Sequence, residues 1–188
     1  MKLTTYLHEG TARAGLVDGD CVIDLHVACP DVPSALPAAL RQGCALHGAA
    51  GRARAGDAPR LPLAGLALAP VLPEPGKIVC LGLNYYDHAR EGGRDKPSYP
   101  WFFLRAASSL VGHGQPAQVP RASDQLDYEA ELAVVIGTTV PRNVARSQAL
   151  SHVFGYSCFN DVSVRDFQKR TGQWTIGKNF DATGGFGP

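Results

Sequence analysis

The chain has 188 residues, of which 45% are hydrophobic and 19% charged, a composition that supports one folded domain with a small appendage and excludes wholesale disorder. Its 18 Lys and Arg residues against 17 Asp and Glu residues leave a formal charge of +1, without the basic excess of nucleic-acid-binding proteins. No apolar run approaches the ~20 residues that span a bilayer. We therefore expect neither a nucleic-acid partner nor a membrane partner.

The five cysteines are widely spaced, and none belongs to a CxxC pair or a Cys/His cluster. This spacing predicts neither a zinc site nor a disulfide framework, so the thiols are expected to be reduced. The first residues carry no apolar stretch of the kind found in a signal peptide. The expected location is the cytoplasm.

Residues 1–72 are predicted to form a small, strand-rich N-terminal accessory domain. Strand patterns cover Leu3–His8, Arg13–Val17 and Cys21–Leu25. Asp18-Gly19 lies between the second and third of these strands and is typical of a tight hairpin turn. The second and third strands are therefore expected to pair.

The remainder of this accessory domain shows weaker patterns. A short helix is predicted over 33–41, whereas the Ala- and Gly-rich stretch 48–57 shows little periodicity. Leu61–Leu72 is apolar but contains two prolines, which a helix interior does not accept. We expect this last segment to be an extended connector.

Residues 73–188 are predicted to form a second domain in which strands alternate with short helices. The predicted strands are Lys77–Leu83, Trp101–Leu104, Gln118–Val119, Tyr128–Ile136 and Val153–Phe159, and Gly172–Phe180 is strand-like. The predicted helices are Tyr85–Glu91, with Asn84 as its N-cap, and Val144–Ser151.

Two acidic residues, Glu129 and Glu131, share one face of the strand predicted over Tyr128–Ile136. Beyond Glu131 both faces are apolar, which is typical of a strand buried on both sides. Carboxylates in such a place lose hydration and repel each other unless they are paired or bind a cation. A hard divalent ion such as Mg²⁺, Mn²⁺ or Ca²⁺ meets this need. A strand that starts at a solvated sheet edge explains the same pattern.

A third acid, Asp161, follows the apolar strand Val153–Phe159 at its C-terminal end. Three carboxylates on neighbouring strand ends can surround one face of a metal ion and leave positions for water and substrate. Glu129, Glu131 and Asp161 are therefore the candidate metal ligands.

His88 and Glu91 are three residues apart on a predicted helix, so their side chains share a face. A carboxylate in that position can orient an imidazole and raise its basicity, which suits a general base. A solvated surface helix gives the same spacing.

Arg165 and Gln168 are three residues apart on a predicted helical turn, and Lys178 lies in an apolar run. A buried Lys needs an anion nearby, and an Arg can bind a carboxylate through two parallel hydrogen bonds. The three residues could hold a substrate carboxylate, or they could form structural ion pairs.

Four motifs follow one another between residues 76 and 188. They are Gly82-Leu-Asn-Tyr-Tyr-Asp-His-Ala-Arg-Glu91, Asp127-Tyr-Glu-Ala-Glu-Leu132, Asn160-Asp-Val-Ser-Val-Arg-Asp166 and Gln173-Trp-Thr-Ile-Gly-Lys-Asn-Phe-Asp181. Their order is far more specific than any one motif, and together they resemble the fumarylacetoacetate hydrolase family. Residues 1–72 resemble the small accessory domain of longer members.

The resemblance implies an α+β fold that is mostly β, a mixed β-sandwich roll, in an enzyme that is usually dimeric and contains a divalent metal. By motif, the family's metal ligands correspond to Glu129, Glu131 and Asp161, its catalytic residues to His88, Glu91 and Lys178, and its substrate-side residues to Arg165, Gln168 and Lys178. We expect Mg²⁺ as the cofactor, with Mn²⁺ or Ca²⁺ as alternatives. A small oxo-acid substrate and a homodimer are the expected partners.

Two features depart from the family pattern. Arg105 stands on a predicted strand where many relatives have Lys, and the family's catalytic domain normally continues beyond the motif that ends at Pro188. The chain is expected to be either a fragment or a shortened member. Unpaired strand edges in such a chain predict association or poor solubility.

The implied activity is metal-dependent hydrolysis of a C–C bond in a β-diketo acid or acylpyruvate, of the fumarylacetoacetate or fumarylpyruvate type. His88, oriented by Glu91, is expected to take a proton from water, and Lys178 to stabilise developing negative charge. The segment 85–93 is expected to be a lid that orders over the site. The alternatives are an enolate-forming decarboxylase or isomerase of a 2-oxo or hydroxymuconate-type acid, and an inert binding subunit.

Overall fold

The computed structural model describes residues 1–91, 93, 95 and 97–187, and the side chains of His88 and Glu91 lie outside that description. The strands are β1 Lys2–His8, β2 Thr11–Asp18, β3 Cys21–Asp24, β4 Arg60–Pro62, β5 Leu68–Ala69, β6 Ile78–Gly82, β7 Trp101–Arg105, β8 Leu110–Val111, β9 Leu126–Asp127, β10 Ala130–Ile136, β11 Val153–Asp161, β12 Ser163–Val164 and β13 Gly184–Phe186. The helices are α1 Leu25–Ala28, α2 Leu36–Arg41, α3 Leu46–Ala55, α4 Tyr86–Glu91, α5 Arg165–Gln168 and α6 Thr175–Lys178. The expected α+β class, mostly β, is confirmed.

The N-terminal part is a five-stranded sheet with the strand order β4-β3-β2-β1-β5. The three predicted N-terminal strands are confirmed, and β2 pairs with β3 in antiparallel register from Gly15 with Asp24 to Asp18 with Cys21. Gly19 has a φ of +61° in the turn between them, a conformation that glycine adopts without steric cost. The hairpin predicted at Asp18-Gly19 is therefore present.

The Ala- and Gly-rich segment 48–57, for which the sequence predicted no element, belongs mostly to helix α3. Ala49, Ala50 and Ala53 are buried on that helix and pack into the core formed with β2, β3, α1 and α2. Small residues leave almost no hydrophobic periodicity, so the helix depends on close packing and not on an amphipathic pattern.

The connector over Leu61–Leu72 is extended as predicted, although it also adds the short strands β4 and β5 to the sheet. Val71, Leu72 and Phe154 pack against the N-terminal core. The two predicted domains are thus in contact, and the boundary between residues 72 and 73 stays a prediction.

A buried carboxylate, Asp24, joins the N-terminal strands to helix α1. It accepts hydrogen bonds from the Tyr6 hydroxyl (2.6 Å), the Arg13 guanidinium and the backbone N–H of Val27, so it is also the N-cap of α1. Burial opposes ionisation of Asp24, but the hydrogen bonds from Arg13 and Tyr6 outweigh it and hold its pKa below the ordinary value. One ionised side chain therefore ties together three elements.

The C-terminal part contains a four-stranded sheet with the order β10-β11-β13-β8 and two pairs, β6 with β7 and β9 with β12. β10 and β11 are antiparallel, with Glu131 opposite Phe159. The Gly-rich segment 184–186 is a strand, β13, which pairs antiparallel with β11 and parallel with β8. This sheet brings the ends of the second and third motifs together.

Several sequence predictions for this part need correction. Gln118–Val119 is not a strand, Val144–Ser151 is largely a 3₁₀ helix at Arg146–His152, and Gly172–Phe180 contains helix α6 in place of a strand. The long strand begins at Ala130, so Glu129 lies just before it.

The expectation that this strand is buried on both faces is also wrong for the chain. Leu132, Val134 and Ile136 are 60%, 49% and 52% exposed on one face of β10. Exposed apolar side chains also line one face of the β6–β7 pair, namely Val79, Leu81, Phe102 and Leu104. A contiguous apolar strand surface of this kind is typical of an interaction surface.

We predict that Asp24→Asn lowers the free energy of unfolding at pH 7 by about 2–4 kcal/mol, because Arg13 loses its buried counter-ion and Tyr6 loses an anionic acceptor. The Asp24 pKa is depressed by folding, so its stabilisation is present above the ordinary Asp value of about 3.9 and is lost as the pH falls through the folded pKa. Urea unfolding of wild type and variant between pH 7 and pH 3 measures this difference, with exposed Asp20→Asn as control. A constant difference across that range would contradict the assignment.

Candidate active site

Arg105, at the end of β7, is fully buried and lies at the centre of a cluster of charged side chains, which also contains Asp161, Lys178 and Glu129. Its guanidinium donates to Asp161 Oδ1 (2.7 Å), the carbonyl of Val162 (3.2 Å), Thr183 Oγ1 (3.0 Å) and Ser109 Oγ (3.2 Å). These contacts join β7 to the end of β11 and to the segment that precedes β13. Arg105 is therefore a fixed charge.

Asp161 is the last residue of β11, and its buried carboxylate lies between two cations. Oδ1 accepts from Arg105, and Oδ2 accepts from Lys178 Nζ at 2.7 Å. Isolated carboxylates are costly to bury, and two paired cations offset that cost. The side chain predicted to be a metal ligand is thus brought to the same place as Lys178.

Lys178 ends helix α6 and is 1% exposed. Its ammonium contacts Asp161 Oδ2 (2.7 Å), the Asp161 carbonyl (3.0 Å) and Glu129 Oε2 (2.9 Å). The neighbouring Asn179 side chain donates to the Leu104 carbonyl and accepts from the Ala106 N–H, so it attaches α6 to the end of β7. The predicted need of Lys178 for an anion is confirmed, on a helix and not on a strand.

Glu129 has more partners than any other predicted metal ligand. Its Oε2 faces Lys178, while Oε1 accepts from Arg165 (2.6 Å) and from the Ser163 hydroxyl (2.8 Å). Burial would raise the pKa of Glu129, but the charge of Lys178 and the hydrogen bonds outweigh it, so the pKa lies below its ordinary value. Folding therefore favours the ionised form of Glu129, which has one donor on Oε2 and two on Oε1.

Arg165 and Gln168 lie together on α5, as their spacing predicted. Arg165 binds Asp127 (2.6 Å) as well as Glu129, and it donates to Gln168 Oε1 at 2.9 Å. Gly177 allows α6 to approach α5, because a Cβ at that position would lie 2.6 Å from the Gln168 backbone nitrogen. These two of the three predicted substrate-side residues are therefore in contact with each other, and Arg165 is already engaged by two acids.

Glu131 differs from the other two acids, because no ion pair among the described residues includes it. Burial and the negative charges of Asp161 and Glu129 raise its pKa, which a hydrogen bond from Tyr85 offsets only in part. Cys80 lies on the same cavity wall, and burial, with a contribution from Asp161, raises its pKa to about 12. Glu131 marks an excess of negative charge.

An open cavity of about 1360 Å³ runs along these side chains. Glu129, Glu131, Asp161 and Lys178 line one part of it. Another part is aromatic, where Trp101 stacks on Trp174 with ring centroids 5.4 Å apart. The cavity can therefore accept an anionic organic molecule next to the charged cluster.

The donor chemistry fits a hard divalent ion, although the present arrangement does not form a ready site. Three carboxylates share one cavity, and one of them, Glu131, has no ion-pair partner among the described residues. Within the described part of the chain, however, no three His, Cys, Asp or Glu side chains are arranged to hold a metal ion. Lys178 Nζ lies between Glu129 and Asp161 instead.

The predicted general base and its partner, His88 and Glu91, belong to helix α4, but their side chains lie outside the described residues. Their roles stay predictions. The helix itself begins one residue later than predicted, at Tyr86, and Ala89 is its buried contact. The predicted lid over 85–93 includes Gly92, which is also outside the description.

Sequence reasoning assigned no role to Arg105 or Ser163, which the structure places on Asp161 and Glu129. Arg105 alternates with Phe103 on a strand whose other residues are apolar, and both side chains are buried. A lone cation on the inward face of such a strand is the signal that could have identified it. No comparable signal marks Ser163.

Comparison with known proteins agrees with this geometry. The family described as fumarylacetoacetate (FAA) hydrolase C-terminal matches residues 77–188. The chain belongs to the fumarylacetoacetate hydrolase family. The mixed sheets resemble solved structures of that family along the whole chain, which confirms the expected fold.

Three similar proteins illustrate the range of this family. The chain is 38% identical over 173 residues to the mitochondrial oxaloacetate tautomerase FAHD2A of Homo sapiens, covering 91% of this chain and 55% of that protein. A fumarylacetoacetate hydrolase of Exiguobacterium antarcticum has a TM-score of 0.78 and 34% identity over 100% of this chain and 65% of its own. The maleylpyruvate hydrolase of Sphingobium sp. SYK-6, in complex with manganese (II) ion and pyruvate, has a TM-score of 0.77 and 31% identity, covering 100% and 66%.

The family therefore includes hydrolases and tautomerases, and one similar structure contains a divalent metal. The chain spans about half the length of the curated relatives it matches. None of its described helices is long and apolar enough to cross a membrane, and its five cysteines are free.

In metal-free protein, we predict that Glu129→Gln lowers the stability of the fold, whereas Glu131→Gln does not. Glu129→Gln should cost about 2–4 kcal/mol because Lys178 and Arg165 lose a buried anion. Glu131→Gln should cost nothing or stabilise the fold, because it removes repulsion without breaking an ion pair. Chemical unfolding in the presence of EDTA measures both, and equal losses would contradict this charge distribution.

Proposed function

We propose that the chain carries the active site of a metal-dependent hydrolase that cleaves a C–C bond in a β-diketo acid or acylpyruvate. The observation that carries this proposal is the contact of one buried ammonium, Lys178, with two of three clustered acids on a cavity wall. Such a site provides positive charge for an anionic substrate and carboxylate oxygens for a hard cation. Membership of the fumarylacetoacetate hydrolase family supports the same reaction class.

The proposed cofactor is Mg²⁺, with Mn²⁺ or Ca²⁺ as alternatives, held by Glu129, Glu131 and Asp161. The maleylpyruvate hydrolase of Sphingobium sp. SYK-6 is in complex with manganese (II) ion and pyruvate, which supports a divalent ion as the cofactor. When bound, such an ion supplies Lewis-acid polarisation of the substrate's oxygens.

The protein's own residues perform the remaining tasks. Arg165 and Gln168 lie beside the acids and are proposed to orient the substrate carboxylate. His88, oriented by Glu91, takes a proton from water, whose oxygen bonds to the acyl carbon. The C–C bond then breaks with its electron pair on the leaving carbon, which receives the proton, so water is divided between the two products. Lys178 stabilises negative charge that develops on the substrate oxygen.

A tautomerase is the second candidate, favoured by the 38% identity to the human oxaloacetate tautomerase over 91% of the chain. Tautomerisation moves one proton between carbon and oxygen and needs no attack by water. Because it passes through an enolate, it would use the same charges that stabilise negative charge on the substrate oxygen. Isomerisation or decarboxylation of a related 2-oxo acid would use them too. The reaction products separate these activities from hydrolysis.

Homodimerisation is part of the proposal, supported by the exposed apolar faces of β6–β7 and β10. The association of this chain in solution can be measured by sedimentation equilibrium. We expect Leu132→Asp and Val134→Asp to weaken association without affecting the buried N-terminal core, whereas a monomeric wild-type chain would contradict dimer formation.

The activity prediction concerns substrate class and metal dependence. With Mg²⁺ or Mn²⁺, the protein should convert acylpyruvates into an acid and pyruvate, and EDTA should remove the activity. Product NMR on a panel of acylpyruvates, oxaloacetate and hydroxymuconate-type acids is the measurement. Keto–enol exchange of oxaloacetate without bond cleavage would favour the tautomerase, and no turnover with any acid would favour an inert binding subunit.

His88→Ala should abolish turnover and leave the metal affinity almost unchanged, because it removes the proposed base and no metal ligand. Glu91→Ala should reduce turnover less, since it removes only the orienting group. Steady-state kinetics together with calorimetric Mn²⁺ titration test both variants. Full activity of His88→Ala would exclude His88 as the base.

A further inference from the structure

Lys178 differs from the neighbouring Arg105 and Arg165 in the residues that its charged group contacts. Each described polar contact of its ammonium goes to Glu129 or Asp161, at 2.7, 2.9 and 3.0 Å. Both residues are proposed metal ligands, so this inference rests on the proposed function. The ammonium therefore lies between carboxylate oxygens that a divalent ion would also need.

The arginines have anchors outside the three proposed ligands. Arg105 is held by Val162, Thr183 and Ser109 as well as by Asp161. Arg165 binds Asp127 and Gln168 in addition to Glu129. If either guanidinium loses its contact with one acid, its other partners still hold it in place. Lys178 has a flexible side chain, and its three polar contacts all go to Glu129 and Asp161, so no other polar partner among the described residues holds it.

We infer that Lys178 is the internal counter-ion of the metal-free site, and that binding of a divalent cation breaks its contact with Glu129. In the metal-free protein, the ammonium neutralises two acids that would otherwise repel each other at the cavity wall. When a metal ion neutralises them, the ammonium loses that attraction and is released to contact the oxo-acid substrate. One side chain thus serves the empty site and the substrate-bound site in succession.

This arrangement explains why the three proposed ligands are all present, although no three such side chains among the described residues are placed to hold a metal ion. The ammonium of Lys178 lies between two of them. Among the described residues, no buried side-chain nitrogen or oxygen lacks a hydrogen-bond partner, which agrees with acids that are neutralised from within the protein. The metal has to compete with an internal cation, so the ammonium lowers the affinity of the empty site for metal.

The test is Mn²⁺ titration of the whole 188-residue protein, without substrate, by calorimetry and by electron paramagnetic resonance. Lys178→Met should bind Mn²⁺ more tightly, by about tenfold or more, because a competing charge at contact distance has been removed. The melting temperature should also rise more on addition of Mn²⁺ in Lys178→Met than in wild type.

Lys169→Met is the matched control. Lys169 lines the same cavity and is exposed, but none of the ion pairs among the described residues involves its side chain. Its removal should change Mn²⁺ affinity less than about twofold, since an exposed charge is screened by solvent. An equal gain in both variants would show a general charge effect and would overturn the inference.

A measurement on wild type covers the case in which Lys178→Met does not fold. The chain contains Lys at positions 2, 77, 96, 169 and 178, so a lysine-selective NMR spectrum is simple enough to assign from single variants. Mg²⁺ should shift the Lys178 side-chain signal with the same dissociation constant as calorimetry gives. An unchanged Lys178 signal at saturating Mg²⁺ would overturn the inference and leave the metal site intact. No metal binding by wild type would overturn the proposed metal site and the inference together.

Discussion

The buried carboxylate of Asp161 is the group on which the C-terminal part of the structure depends. It accepts from Arg105 on one oxygen and from Lys178 on the other, and both cations are nearly inaccessible to solvent. Three charges of this kind are tolerated in a protein interior only if each keeps its partners. The end of β7, the end of β11 and helix α6 must therefore meet at one point, and Asn179 adds a second attachment between α6 and β7.

The distribution of charge around that point prepares the site for chemistry. Glu129 is neutralised by Lys178 and Arg165, whereas Glu131 adds negative charge that no described ion pair balances. One of the three acids therefore has no counter-charge among the described residues, and all three line a cavity large enough for an organic acid. The proposed hydrolysis and the alternative tautomerisation would both use this combination.

The linear sequence allowed prediction of those features that depend on local pattern. The N-terminal strands, the turn at Gly19 and the need of a buried Lys178 for a nearby anion follow from alternation, turn chemistry and the cost of buried charge. Helix α3 was missed because buried alanines carry no periodicity, and α6 was missed because a four-residue helix is stabilised by tertiary contacts. The role of Arg105 depends on a contact 56 residues away in sequence, which no local pattern contains.

The most direct test of this account is a crystal structure of the protein soaked with Mn²⁺, with the metal located by anomalous diffraction. The account predicts one Mn²⁺ coordinated by carboxylate oxygens of Glu129, Glu131 and Asp161, with Arg105 still bound to Asp161 and Lys178 moved away from Glu129. A manganese ion bound elsewhere, with Lys178 still between Glu129 and Asp161, would contradict it.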